Sequence, residues 1–288
     1  MESSRLNYLR TLLVLGRVSN LPTVWSNCLA GWLLGGGGHS GIFFWLCLGA
    51  TFLYVGGMYL NDAFDAAFDQ QHRPERPIPS GAISSGAVWL WGFGWLALGW
   101  LCLVSLGRDT NVLAVLLVAC ILVYDAVHKL LALSPLLMAA CRFFLILVAA
   151  STAREGVTGL AIWSALVLAG YIVGLSYLAR KESTQATPHY WPCLFLAAPL
   201  VLALVVNRGE FQLRGVALCG VLVLWMLNCL RHVFWSPQRN IGRSVGGLLA
   251  GIVLVDLLAL GGGVGLIGLL FAGLFVLALV FQRFIPAT

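Results

Sequence analysis

Residues Tyr59–Gly81 read YLNDAFDAAFDQQHRPERPIPSG. The residues just before them, 42–59, are almost wholly apolar. Three aspartates, two arginines and three prolines then crowd into a chain in which only 10% of residues are charged. An apolar run that ends in so dense a charged cluster raises two questions. One is what kind of protein carries the run, and the other is what the cluster binds.

The first answer comes from the rest of the 288 residues, 60% of which are hydrophobic. Soluble domains carry about 25% charged and about 45–50% apolar residues. This chain has more apolar side chain than one soluble core can hide, so it reads as a polytopic membrane protein surrounded by lipid. Arg5, Arg10 and Arg17 precede the first apolar run, and no small-residue cleavage site follows it. The run is read as a retained span, not a signal peptide. The net charge of +6 then belongs to cytoplasmic loops and not to a nucleic-acid surface. The eight cysteines stand singly with no CxxC pair, as small buried hydrophobes do.

A membrane crossing takes about 20 apolar residues. Ten segments qualify: 18–36, 41–61, 86–106, 111–128, 134–152, 158–179, 190–206, 213–232, 244–260 and 264–283. The last two are parted only by Gly261–Gly263, so nine is also a reading. The expected fold is all-α: a single domain over residues 1–288 with nine or ten transmembrane helices around a central cavity. With a cytoplasmic N-terminus, 12 Lys and Arg residues fall on that side, 4 on the other, and Arg142 within a span. The positive-inside rule accepts that orientation. It puts both long polar connections, 62–85 and 180–189, on the cytoplasmic face of what is expected to be a bacterial inner membrane.

Asn61, Asp65 and Asp69 are spaced by four, so a continuing helix sets them in one stripe. Asp62 lies about 100° round but borders Asp65. A stripe of hard oxygens suits Mg²⁺, which takes one or two carboxylates together with substrate phosphates. The competing reading is a solvated helix end. Aspartate is a mediocre helix former, which weighs against that reading. So do Arg73 and Arg76, set in a loop stiffened by Pro74, Pro77 and Pro79. Carboxylates for a metal beside arginines for phosphate oxygens make a diphosphate-binding set.

The pattern Asn61-Asp62-x-x-Asp65-x-x-x-Asp69, with Arg73-Pro74-x-Arg76-Pro77-x-Pro79-x-Gly81 behind it, resembles the first aspartate-rich motif and loop of the UbiA-type membrane prenyltransferases. That resemblance implies Mg²⁺, a prenyl diphosphate donor, a lipophilic acceptor and transfer of the isoprenyl group within the membrane. Asp62, Asp65 and Asp69 would be catalytic, and Asn61, Asp65 and Asp69 would hold the metal. Family members usually carry a second aspartate cluster after the sixth span. Here the matching stretch, GLSYLARKESTQATPHY, keeps Tyr177, Arg180 and Lys181 but offers only Glu182. "SYLARKES" with "SPLLMAACRFF" is similar to the divergent EboC-like branch.

Other residues are read singly. Arg142 lies mid-span, where a charge costs at least about 2.5–3.5 kcal/mol, so it should face the interior and meet a phosphate or carboxylate. Tyr124, Asp125, His128 and Lys129 close the fourth span, and similar Tyr and Lys positions in the family hold diphosphate. An interface anchor is the other reading. Asn27 faces the acceptor or bonds a neighbouring helix. Asp256, near the outer end of its span, is read as structural or interfacial. The diphosphate set is thus Arg73, Arg76, Lys129, Arg142, Tyr177, Arg180 and Lys181, and the acceptor set is Asn27, Tyr124 and Glu182. Two functions fit: Mg²⁺-dependent prenyl transfer, and a non-catalytic carrier of a prenylated or aromatic lipid.

Overall fold

The computed structural model describes residues 2–184, 189–207, 209, 212–236, 238–261 and 265–287; the side chains of residues 2–7 and 182–184 fall outside that description. Its elements are α1 Glu2–Leu15, a 3₁₀ turn Val18–Asn20, α2 Leu21–Leu34, α3 Ser40–His72, α4 Ser85–Val104, α5 Arg108–Val127, α6 Ser134–Ser151, α7 Gly159–Thr184, a 3₁₀ segment Trp191–Ala197, α8 Ala198–Val206, α9 Gln212–Phe234, α10 Ile241–Ala259 and α11 Gly265–Phe281. No strand occurs among the described residues. Each of the ten predicted segments holds a helix, and α1 is an additional one.

Seven of these helices are long and apolar enough to cross a membrane: α3, α4, α5, α6, α7, α9 and α10. The segments 18–36, 190–206 and 264–283 hold shorter helices. The chain is an integral membrane helix bundle.

Helix α3 sets the geometry. Its 33 residues run past the apolar part and carry the helix through Asp69. It stops at Arg73, whose φ is −144° and ψ 63°, because the following Pro74 disfavours helical backbone in the residue before it. Against it lies α4, brought close by glycines on facing turns. A Cβ on Gly56 would stand 2.9 Å from the Gly92 carbonyl oxygen, and one on Gly99 would stand 2.8 Å from that of Gly49. Side chains would push the two helices apart, so the glycines allow the contact that membrane helices use where water supplies no hydrophobic drive.

Two large buried clusters dominate the core. One gathers Leu46, Leu53 and Leu60 of α3 with Leu96 and Leu103 of α4. The other gathers Leu168, Tyr171 and Ile172 of α7 with Leu248 and Ile252 of α10. Helix α6 serves both, giving Leu145 and Val148 to the first and Ala139 and Ile146 to the second. The central cavity lies where these halves face one another.

Candidate functional site

The cavity measures about 360 Å³ and takes its walls from α3, α5, α6, α7 and α10. Asn61, Asp65 and Asp69 all line it, as their spacing on one helix face requires. Around them stand Arg73 and Arg76 from the proline loop, Lys129 and His128 from the end of α5, and Arg180 from α7. Deeper, Met58, Met138, Ile172, Leu175 and Leu249 supply an apolar wall. Tyr124 lines the cavity too, its ring stacked on His128 at 4.9 Å.

The acidic stripe divides. Asp65 is paired with Lys129 Nζ at 2.8 Å and with His128 Nε2 at 3.3 Å. Lys129 Nζ also lies 3.7 Å from the centre of the Phe68 ring. Burial works against protonation of His128, but the hydrogen bond and negative charge of Asp65 outweigh it and lift the imidazole pKa above its usual value. Asp69 forms no ion pair among the described residues. Asn61 is held from behind: its Nδ2 donates to Asp125 Oδ1 at 3.1 Å, while its Oδ1 accepts from Arg17 at 3.2 Å. Asp65 and Asp69 on one wall, with an amide oxygen beside them, fit the few hard oxygens that Mg²⁺ takes from protein when phosphates supply the rest. Among the described residues, no group of three or more His, Cys, Asp or Glu side chains forms a complete metal cage, so the other positions around an ion would fall to water or ligand oxygens.

Asp62, expected to be catalytic, is absent from the wall. It is buried behind the stripe, paired with Arg17 at 3.2 Å and 4.0 Å from Arg76. The 100° offset that made it a neighbour of Asp65 aims it at the 3₁₀ turn between α1 and α2. Burial and the like charges of Arg17 and Arg73 lower the Arg76 pKa, against the pull of Asp62 and Asp69. Arg17 was missing from the expected site residues although it lines the cavity and adopts a left-handed backbone, φ 40°. Its one sequence signal was a cation abutting the polar pair Ser19–Asn20 at the head of an apolar run.

The second expected cluster is only partly assembled. Arg180 reaches the cavity and donates to the Ala132 carbonyl at 2.6 Å. Tyr177 and Lys181 are off its wall. The Tyr177 hydroxyl instead accepts the His189 backbone N–H at 2.9 Å, and Lys181 Nζ lies 5.6 Å from the centre of the Tyr177 ring. The Glu182 side chain lies outside the described residues.

For the deep polar residues the structure takes one of the readings left open: Asn27 bonds neighbouring helices and Asp256 is structural. Asn27 does not face the cavity but is fully buried. It donates through Nδ2 to both carboxylate oxygens of Asp256, at 2.9 and 2.7 Å, and accepts from Arg142 at 2.7 Å. Asp256 is therefore no interface residue. It is 2% exposed and also accepts from Ser26 Oγ at 2.5 Å. An acid within an apolar span was the signal for a buried partner. Arg142 lines the cavity but spends three hydrogen bonds on Thr23 and Asn27.

Comparison with known proteins adds three observations. The profile of the UbiA prenyltransferase family matches residues 21–286. Curated relatives match over parts of the chain. They include digeranylgeranylglyceryl phosphate synthases of Methanoregula boonei, 54% identical over 43 residues, and of Methanothrix thermoacetophila, 30% identical over 118 residues. The matched stretches span 15% and 44% of those two proteins and 15% and 40% of this chain. Among solved structures, a UbiA homologue from Aeropyrum pernix K1 superimposes with a TM-score of 0.66 at 13% identity, covering 85% of this chain and 97% of that one. A UbiA homologue from Archaeoglobus fulgidus bound to GPP and Mg²⁺ does so with a TM-score of 0.65 at 12% identity, covering 96% and 99%.

Proposed function

This chain belongs to the UbiA prenyltransferase family, and from that premise we propose that it moves an isoprenyl group from a prenyl diphosphate to a lipophilic acceptor inside the membrane, with Mg²⁺. One observation carries the reading. A single cavity sets Asp65 and Asp69 opposite Arg73, Arg76, Lys129 and Arg180 and backs them with Met58, Met138, Ile172 and Leu175. A ligand that fills it needs a polyanionic head and an apolar tail. The Archaeoglobus fulgidus homologue was solved with such a ligand, GPP, and Mg²⁺.

In this reading Arg73, Arg76 and Arg180 bind diphosphate oxygens, and arginine suits them through its planar fork. Asn61, Asp65 and Asp69 would hold Mg²⁺, with Asp125 orienting the Asn61 amide. When bound, Mg²⁺ draws charge from the leaving diphosphate. Lys129 is already placed at Asp65 and adds a point charge beside the same oxygens. The apolar wall excludes the water that would trap an allylic cation, and the Tyr124 ring offers it a π face. Asp62 acts at one remove, tying Arg17 and Arg76 to α3. By the asymmetry of charge, the N-terminus and the cavity mouth face the cytoplasm. The expectation of a bacterial membrane draws no support from the relatives named above, whose sources are archaeal.

Purified protein incubated with labelled prenyl diphosphates of several lengths, Mg²⁺ and a panel of lipophilic acceptors should yield prenylated product and free diphosphate. Tight donor binding with no product for any acceptor would favour the carrier. An absence of Mg²⁺-dependent donor binding would sink both readings. Cysteine labelling at engineered sites in 70–80 tests the orientation, since modification from the outer face contradicts it.

A further inference from the structure

Arg142 lies beside Tyr54 on the cavity wall. Its guanidinium carbon sits 5.9 Å from the centre of the Tyr54 ring. Tyr54 precedes Asp65 by eleven residues on α3, which is about 16 Å along the axis. The pair therefore sits inward of the acidic stripe along α3. Arg142 and Tyr54 sit where the main cavity meets a smaller one of about 80 Å³, whose other walls include Val24, Leu53, Leu117 and Ile121.

Two features define what this junction can bind. First, Arg142 makes hydrogen bonds through Nη1 to the Thr23 carbonyl and to Asn27, and through Nη2 to Thr23 Oγ1. A guanidinium has five N–H donors, so Nε–H and one Nη2–H remain without a partner among the described residues. Second, Asn20 stands on the same cavity wall, 3% exposed, with its amide fixed: Nδ2 donates to the Ala287 carbonyl at 2.9 Å and to the Tyr54 hydroxyl at 3.2 Å. Its Oδ1 is buried and has no partner. A buried acceptor without a partner is costly. Around Tyr54 the structure thus leaves donors of Arg142 and a buried acceptor of Asn20 without partners among the described residues.

Charge chooses between ligands. The Asp256 carboxylate accepts from Asn27 Nδ2, so Asn27 Oδ1 must turn to Arg142, and the amide links a negative charge to a positive one. The cation is balanced before anything binds. A second anion there would lose its hydration without meeting an unpaired charge. Also, an anion offers Asn20 Oδ1 no hydrogen to accept.

We propose that Arg142, Asn20 and Tyr54 form the head-group subsite for the prenyl acceptor, and that it takes an uncharged hydroxyl, which accepts from Arg142 and donates to Asn20, with the apolar body against Met58 and Met138, which line both cavities. Asp256 is a positioning residue that sets this preference through Asn27. The inference rests on the prenyl-transfer reading and names the acceptor class for it.

The test uses probes with one tail and three heads: 4-hexylphenol, 4-hexylanisole and 4-hexylbenzoate. Calorimetry on the full chain in detergent should find the phenol bound about tenfold tighter than either other probe, the worth of one such hydrogen bond. Asn20→Leu should close the gap between phenol and anisole. Asp256→Asn unbalances Arg142, so benzoate should overtake phenol. Asn27→Asp placed on Asp256→Asn returns a carboxylate to Arg142, and phenol should lead again. That double variant also serves if Asp256→Asn does not fold. A wild type that prefers benzoate, or head-group preferences unmoved by both the Asn20 and Asp256 changes, overturns the subsite. Mg²⁺-dependent geranyl diphosphate binding by the wild type is read in parallel. If it is missing, the prenyl-transfer reading fails; if it is present while the head-group pattern is wrong, only the subsite fails.

Discussion

The C-terminal ends of α3 and α7 both carry clustered charge, yet the bundle uses them differently. On α3, Asn61, Asp65 and Asp69 repeat every four residues and all reach the cavity. On α7, Tyr177 and Lys181 are also four apart but meet each other off the wall, and only Arg180 arrives. Helix α3 is fixed against α4 by backbone approach at Gly56 and Gly99, and its end is capped by a proline-stiffened loop. A residue four places on from another on such a helix has a determined direction. Lys181 follows Arg180 by one position and is therefore turned about 100° away. Charge at a helix end becomes a site only where the helix face allows it.

The sharpest way to break this contrast is on α3. Asp69→Ala removes a carboxylate that forms no ion pair among the described residues. Mg²⁺-dependent binding of a prenyl diphosphate should fall by at least roughly 100-fold, at the upper end for lost metal-site groups. Asp65→Ala should lose a similar amount while freeing Lys129 and His128 from their partner. Equilibrium binding of labelled geranyl diphosphate, with Mg²⁺ and with chelator, reads both. Unchanged Mg²⁺ dependence in Asp69→Ala would mean that the stripe is no metal site.

Asp62 tests the other side of the same helix. Asp62→Asn keeps the shape and removes the charge that holds Arg17 and Arg76. Because Arg17 is largely buried, losing its partner should cost about 2–4 kcal/mol of stability, near the range for breaking a buried pair. Thermal unfolding in detergent would show a clear fall in Tm. A drop in donor binding with no change in Tm would return Asp62 to the catalytic set.

A cost of similar origin is expected where α3 meets α4. Gly56→Ala places a methyl 2.9 Å from the Gly92 carbonyl oxygen and the Leu96 backbone nitrogen. Backbone cannot rotate away, so about 1–3 kcal/mol of overpacking follows. The same substitution at Gly94, where a Cβ meets nothing within 4 Å, should leave Tm unmoved.

The sequence made the bundle and the α3 stripe legible because both rest on short-range rules. Hydropathy marks each helix, and a spacing of four marks one face. What it left unread depends on which helices touch. Asp256 and Asn27 are separated by 229 positions, and nothing local in either segment announces their bond. The same holds for Arg17 with Asp62 and for Arg142 with Asn27. Arg142 was rightly sent inward, since a mid-span charge must find partners. In the structure three of its hydrogen bonds go to Thr23 and Asn27. Asp62 was misplaced by the opposite error, in which closeness along the chain stood in for a shared face.

The finest test of the contrast lies within α7. Sequence alone treats Arg180 and Lys181 as equal replacements for the charge that a second aspartate cluster would bind. The fold separates them. Arg180 stands on the cavity wall with its guanidinium steadied by the Ala132 carbonyl, so a diphosphate oxygen can meet it at little cost in side-chain order. Lys181 lies over the Tyr177 ring, off the wall. Arg180→Ala should weaken donor binding by about tenfold, the worth of one charge-assisted hydrogen bond. Lys181→Ala should change it by less than about threefold, as for a charge acting at a distance. Raising salt should shrink the lysine effect further and spare most of the arginine effect, because a contact is screened less than a distant charge. Equal losses at the two positions, with equal salt dependence, would mean that the end of α7 turns on binding donor and brings Lys181 to the cavity.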